Sequence, residues 1–431
     1  MAPTKQAQRG SRAGRLARNV GLFFAVLGPG LITATADNDS GGIATYSLAG
    51  AQYGYGLLWT LIPVTLLLML TLEMSARLGV VTNKGLADLV REQFGVKPTA
   101  CLLLLVLIAN IGTTASEFAG LASSVDIVGS YLRLGIPWLG KALVPAFVFV
   151  IWVSVTRADY KRLEKVFLLM VFFYLSYVLA AIAAKPDWSE AVRGLFVPTF
   201  INEPNYIFSM VGVIGTTITP WMYFYLQGTM VEKGITVEEY RFARLDVLVS
   251  CISTDVIAFF IIVACAATLW KAGVHVTSID EVGVALVPFA KGYAAPLFAT
   301  GLFGASLFGA FILPISTSFT ICEAMGWEHG LNKGYSEAPA FYGIFTFILV
   351  VGAVLVLIPG APLLFMMRLS QVAQGVVLPI FLFFLIRLAS NRSLLGEYAN
   401  SGWLNIIAWT AAVVLAAMSL YLLVSPFILG D

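Results

Sequence analysis

Seven residues near the N-terminus carry the strongest chemical signal in the chain: Ala36-Asp37-Asn38-Asp39-Ser40-Gly41-Gly42. Two carboxylates, an amide, a hydroxyl and two adjacent glycines fall at the midpoint of a hydrophobic stretch, with Val20–Ala36 before them and Ile43–Tyr53 after. Neither flank alone is long enough to cross the roughly 30 Å of a bilayer core. A carboxylate at mid-membrane costs roughly 2.5–3.5 kcal/mol and marks a functional site by default. The glycine pair within a polar run predicts a broken helix, which lipid tolerates only where the broken backbone lines a protected cavity. Broken helices near the midplane are how secondary transporters build ion sites.

A second stretch has the same character: Val211-Gly212-Val213-Ile214-Gly215-Thr216-Thr217-Ile218-Thr219-Pro220-Trp221. Pro220 lacks an amide donor and its ring disturbs the preceding turn. Taken alone, this reads as a proline kink whose threonines bond back to the helix. Paired with Asp39, it supplies hydroxyl and unwound carbonyl oxygens opposite a carboxylate. Those are hard ligands, suited to Mg²⁺, Ca²⁺ or Mn²⁺. The candidate ion site comprises Asp39, Thr216, Thr219, Asp37, Gly42 and Gln371. Asp37 is placed as an acceptor for ion-bound water, and Gln371, with Gln374, as an interhelical hydrogen bonder that can also reach the ion.

Other buried charges have plainer readings. Glu117, in Thr113-Thr114-Ala115-Ser116-Glu117, fits a proton relay and a packing buttress equally. Asp255 reads as structural or gating, and Glu73 and Asp126, near span ends, as solvated or paired groups.

These residues need a membrane scaffold, and the composition provides one. The 431 residues are 59% hydrophobic and 12% charged, about half the charged share of a soluble domain. A net charge of +2 gives no footprint for nucleic acid. Cys101, Cys251, Cys265 and Cys322 show no paired spacing and read as small hydrophobes. No Ser–His arrangement, His/Cys cluster or phosphate-cradling loop points to an enzyme, and no cofactor is called for: the divalent ion is cargo.

Counting apolar runs gives eleven spans: 20–53 (broken), 57–80, 99–131, 140–156, 162–184, 206–230 (broken), 245–270, 293–325, 339–358, 361–388 and 402–427. Basic residues concentrate on one side. Arg77, Lys84, Arg91, Arg157, Lys233, Arg241 and Arg387 join the five of the tail on the inner face, which predicts a cytoplasmic N-terminus and an extracellular C-terminus. Interrupted spans one and six, five apart, predict a five-plus-five inverted repeat. The expected organisation is a basic tail over 1–19, a first five-helix repeat over 20–184, a second over 206–388 and an extra eleventh helix over 402–427. The expected class is thus an all-α polytopic protein of the plasma membrane, working as a monomer.

The residues also resemble a known family. Gly28-Pro29-Gly30, Asp39-Ser40-Gly41-Gly42-Ile43-Ala44-Thr45, Ala49-Gly50-Ala51-Gln52-Tyr53-Gly54-Tyr55 and Leu57-Leu58-Trp59 resemble the first two helices of Nramp divalent-metal transporters. Leu78-Gly79-Val80-Val81-Thr82, Ser370-Gln371-Val372 and Leu378-Pro379 extend the likeness. The resemblance implies a LeuT-like fold and Asp39 as the principal metal ligand. The departures are specific. The family's first-helix Asp-Pro-Gly-Asn reads Asp39-Ser40-Gly41-Gly42, and the sixth-helix methionine and histidine read Thr219 and Trp221. A second histidine position reads Tyr225, and the third-helix Asp-x-x-Glu keeps only Glu117, with Thr114 in place of the acid. The pattern is most similar to the Nramp-related magnesium transporter branch, and it implies uptake of Mg²⁺, and with it Mn²⁺, without proton coupling. The alternatives are a proton-coupled Mn²⁺/Fe²⁺ importer and, more distantly, a LeuT-fold amino-acid transporter.

Overall fold

The computed structural model describes residues 29–136, 138–157, 160–201, 203–273 and 294–429. The basic tail over 1–19, the start of the first span and His275 lie outside the described residues.

Apolar composition dictates helices, because a chain in lipid must satisfy each backbone N–H and C=O internally. The first span is two half-helices, α1 (Pro29–Thr35) and α2 (Ser40–Tyr53), separated at Ala36–Asp39. Then come α3 (Leu61–Thr82), the short α4 (Leu86–Phe94), α5 (Val96–Tyr131) and α6 (Leu139–Arg157). The fifth span is α7 (Tyr160–Met170) continued through a 3₁₀ turn into α8 (Leu175–Ala183), and the amphipathic α9 (Trp188–Phe196) follows. The sixth span is again split, into α10 (Pro204–Thr217) and α11 (Pro220–Glu232). The second half continues with α12 (Tyr240–Cys265), which ends in a π turn over Ala266–Trp270, and then α13 (Ala294–Met325) and α14 (Pro339–Leu357). After α15 (Leu363–Ala389) and the one-turn α16 (Arg392–Leu395) comes the last helix, α17 (Gly402–Leu429).

Ten helices among the described residues are long and apolar enough to cross a membrane, and the split first span supplies the eleventh crossing. Both expected breaks are present. Pro220 stands at the first helical position of α11, where its missing N–H costs nothing. Ile218 and Thr219 leave helical geometry just before it.

The helices pack as two groups. In one, α5, α6, α13 and α14 pack on each other. In the other, α12 gathers α1, α2 and α3, and α11 lies along α3. Helix α15 touches both groups, lying on α5 and on α2, and it packs also on α10 and α17. Buried hydroxyls bond back to carbonyls one turn earlier, as Thr45, Thr217 and Thr229 do, which removes their cost in an apolar setting.

Two of the acids near span ends have partners. Arg77 bridges Glu73 at 3.3 Å, one turn away, and Asp126 accepts the Gly140 N–H at 2.8 Å. The four cysteines are free thiols, three of them buried.

Candidate functional site

The site lies where the two breaks meet. Asp39 is the N-cap of α2: its backbone is extended and its Oδ1 accepts the Gly42 N–H at 2.6 Å. A carboxylate here satisfies orphan amides and faces the positive end of the helix dipole. From α15, Gln371 Nε2 donates to both Asp39 oxygens, at 3.0 and 3.1 Å. That contact explains Gly41. A Cβ there would come within 2.0 Å of Gln371 Nε2, so only glycine lets the glutamine lie across the break.

Gly42 has a different task. A Cβ built on it would meet Thr216 Oγ1 at 2.7 Å, the Asp37 carbonyl at 3.2 Å and Asp39 Oδ1 at 3.2 Å. A hydroxyl, a carbonyl and a carboxylate oxygen therefore converge on the face of one residue that has no side chain. Thr216 Oγ1 has no hydrogen-bond partner among the described residues, although the residue is fully buried. Thr219 is also buried and its hydroxyl also lacks one. It occupies the N-cap of α11 yet makes no cap bond, so its oxygen is left for something else. The remaining Gln371 atom, Oε1, is unpartnered as well.

Behind the break stands Glu117 of α5, fully buried. Its Oε2 accepts the Ser40 N–H at 3.2 Å, the first amide of α2, and the Ser40 and Ser116 hydroxyls meet at 3.1 Å. Its carboxyl lies beside that of Asp39. Gly309 of α13 accommodates it, since a Cβ there would sit 2.5 Å from the Glu117 Cδ. Glu117 thus buttresses the first turn of α2. Gln374 acts as the expected interhelical bonder, donating to Asn110 Oδ1 and Thr113 Oγ1 of α5.

Asp37 stands apart from this constellation. It is buried, and neither oxygen has a partner among the described residues. Its strongest charged neighbour is Asp255 of α12, ahead of Asp39. Two further residues escaped the sequence reading. Asn38 ties the break to α12 through Thr254, at 2.9 Å to its carbonyl and 2.6 Å to its hydroxyl. Arg368, one turn before Gln371, donates to Ser209 of α10 at 2.9 Å and stacks over Phe208. It borders a cavity of about 570 Å³ at the far ends of α2, α10 and α15, together with Gln52, Tyr53, Glu203 and Trp270.

Chemically, the constellation can hold a hard cation with one carboxylate and neutral oxygens. Among the described residues no three His, Cys, Asp or Glu side chains gather as a conventional metal cluster. The ends of α1 and α10 present carbonyls toward the breaks, which adds negative potential without further formal charge.

The family described as "Natural resistance-associated macrophage protein-like" (Nramp) matches residues 30–425. The "Divalent metal cation transporter MntH" of Bacillus subtilis (strain 168) is 28% identical over 411 residues, covering 93% of this chain and 92% of that protein. "Divalent metal cation transporter MntH 1" of Pseudomonas aeruginosa is also 28% identical, over 428 residues, covering 94% and 92%. Among solved structures, the Eremococcus coleocola manganese transporter in complex with an aromatic bis-isothiourea substituted compound superposes with a TM-score of 0.79. Its sequence identity is 19%, and the match covers 99% of this chain and 90% of that one. MhsT in complex with L-phenylalanine superposes with a TM-score of 0.61 at 13% identity, covering 97% and 99%. These two likenesses concern the fold. The match over residues 30–425, which spans both broken helices and the Gln371 helix, places the chain in the Nramp family.

Proposed function

We propose that this chain carries divalent cations, Mg²⁺ and with it Mn²⁺, into the cytoplasm through a partly hydrated site between its two broken helices, without proton coupling. The observation that carries the reading is the convergence of Thr216 Oγ1, the Asp37 carbonyl and Asp39 Oδ1 on Gly42. Asp39 supplies the charge, Thr216 and Thr219 supply hydroxyls, and Gln371 presents Oε1 once its amide turns over. Mg²⁺ sheds water reluctantly and keeps several waters beside one or two carboxylates, which suits a site with one carboxylate and neutral hydroxyl and carbonyl oxygens around it. Asp37 accepts from such a water through its backbone carbonyl, which faces Gly42.

The chain's relatives are named as transporters, not enzymes. A proton-coupled manganese importer is the second reading, favoured by the manganese transporter among the structural neighbours. Against it stand Thr114, Trp221 and Tyr225 at the family's titrating positions. Threonine and tryptophan do not titrate usefully, and tyrosine does so only near pH 10. Histidine, the side chain suited to charge change near neutrality, is absent from both breaks. Amino-acid transport fares worse, because Asp39 would repel a substrate carboxylate at the helix end that should receive it. A cytoplasmic N-terminus, an extracellular C-terminus and a monomeric unit complete the reading.

Liposomes with a pH dye inside and Mg²⁺, Mn²⁺ or Ca²⁺ outside test the coupling. Under a clamped negative potential, worth about 2.3 kcal/mol per charge per 100 mV, Mg²⁺ accumulates without matching acidification. Acidification that scales with uptake and vanishes in Glu117→Gln would overturn the uncoupled reading and make Glu117 the proton carrier.

Selectivity gives a second test. Thr219→Met places a thioether at the break, and soft ligands favour later transition metals over Mg²⁺. Competition flux in that variant shifts toward Mn²⁺ and Cd²⁺ by about tenfold, the equivalent of ~1.4 kcal/mol. An unchanged Mg²⁺/Mn²⁺ ratio in an active variant removes residue 219 from the ion's contacts.

A further inference from the structure

Asp37 and Asp255 pose a problem that the first site does not solve. Both are buried, at 2% and 6% exposure, and none of their four oxygens has a hydrogen-bond partner among the described residues. An ionised carboxylate in that condition is costly unless it is paired or coordinates a cation. The two are held at one level by the residues beside them. Asn38 Nδ2 donates to both the Thr254 carbonyl and the Thr254 hydroxyl, and that hydroxyl in turn donates to the Ala34 carbonyl. The proton of Thr254 is therefore already used, which fixes the Asn38 amide with its nitrogen toward Thr254. Asn38 Oδ1 is left on the other arm, in a residue 1% exposed, with no partner.

Neighbouring groups are committed in the same sense. The Thr65 hydroxyl stands beside Asp255 and donates to the Leu61 carbonyl at 2.6 Å. Tyr46 meets Thr217 Oγ1 at 2.7 Å, and because Thr217 donates to the Val213 carbonyl, the tyrosine proton is spent there. Asp255 also borders a cavity of about 350 Å³ between α3 and α12, in which it is the one charged lining group. Around the two acids the structure thus offers unpartnered acceptors: two carboxylates and an amide oxygen.

We infer that Asp37, Asn38 and Asp255 form a second cation site, on the α12 side of the first break, distinct from the Asp39 constellation. Its ligand class is a hard, oxygen-seeking divalent cation, since two carboxylates in apolar surroundings call for two positive charges and the other donors are neutral oxygens. Asp37 then links the two sites, with its carbonyl in the Gly42 cradle and its carboxylate toward Asp255.

Mn²⁺ binding to the full-length chain in nanodiscs tests the site, read by equilibrium stoichiometry and by the electron paramagnetic resonance of the bound ion. The wild type binds two Mn²⁺ per chain, and their mutual proximity broadens the resonance. Asp255→Asn removes one ion and the broadening, and changes affinity at the remaining ion less than threefold. Asp39→Asn also leaves one ion, held by the second site. A wild-type stoichiometry of one, or two ions persisting in Asp255→Asn, overturns the second site. In those cases the acids are held there as neutral, protonated groups. The first site is judged separately: if Asp39→Asn retains all the binding that the wild type shows, the Asp39 reading falls instead. The wild-type stoichiometry requires no variant to fold.

Discussion

Asp39→Ala abolishes uptake of both Mg²⁺ and Mn²⁺ into proteoliposomes, to the level of protein-free vesicles, while the protein still elutes as a single species. The expectation follows from what the carboxylate does. It is the charged group of the cradle at Gly42, and both its oxygens orient Gln371. Its structural duty is smaller. Losing an aspartate N-cap costs about 0.5–2 kcal/mol, and α2 stays buried against α12, α15 and α10. Asp39→Asn separates the two roles, because the amide oxygen can still cap Gly42 while the charge is gone. Flux is lost in both variants and the thermal midpoint falls only in the alanine one. Wild-type-like transport in Asp39→Ala moves the ion site away from this position.

Gly215→Leu has an effect of comparable size by a different route. Gly215 lies one residue before Thr216, where α10 crosses α15. A Cβ there would meet the Gln371 carbonyl at 2.3 Å, Gly375 N at 2.5 Å and Gly375 Cα at 2.7 Å. All three are backbone atoms, which cannot swing aside as a side chain could. The contact is reciprocal: a Cβ on Gly375 would reach the Val211 carbonyl at 2.8 Å. Close helix approach through small residues is how membrane helices gain packing energy, and overfilling such a contact costs about 1–3 kcal/mol or more. The larger side chain forces α10 from α15 and so parts Thr216 from Gln371. Flux falls at least 100-fold, and the monodisperse fraction on size exclusion drops with it. A variant that purifies normally and transports at the wild-type rate would show that the two helices do not need this contact.

The positions of both breaks were legible in the sequence, and the reason is energetic. Glycine pairs, prolines and carboxylates within apolar runs are penalised so heavily in lipid that they persist only for cause. Residue pairings across the fold were not legible. Gln371 was counted at the site, but nothing in its sequence neighbourhood says that its nitrogen covers Asp39 or that Gly41 exists to let it. Asn38 read as one polar residue among several, and its bonds to Thr254 span 216 positions in the chain. Asp255 read as structural or gating because its charged neighbour Asp37 lies in a distant part of the sequence. Arg368 stood in an apolar run without any pattern to lift it out. What periodicity and composition yield is the scaffold and its faults. Which side chains meet at a fault is set by helix crossings that only the folded chain reveals.

Both halves of the first span pack on α12, but their ends at the break are tied by different hydrogen bonds. Helix α1 is tied to α12, with the Gly30 N–H on Asp246 at 2.8 Å and the Ala34 carbonyl on Thr254. The first turn of α2 is tied to α5 and α15, through Ser40 on Glu117 and Asp39 under Gln371. The four residues between them join the two sets of ties, and the ligands we propose for the cation stand on both sides: the Asp37 carbonyl on one, Asp39 on the other. A divalent ion that grips both sides acts as a clamp. On that reading its arrival stiffens the joint between the two half-helices and its loss frees it.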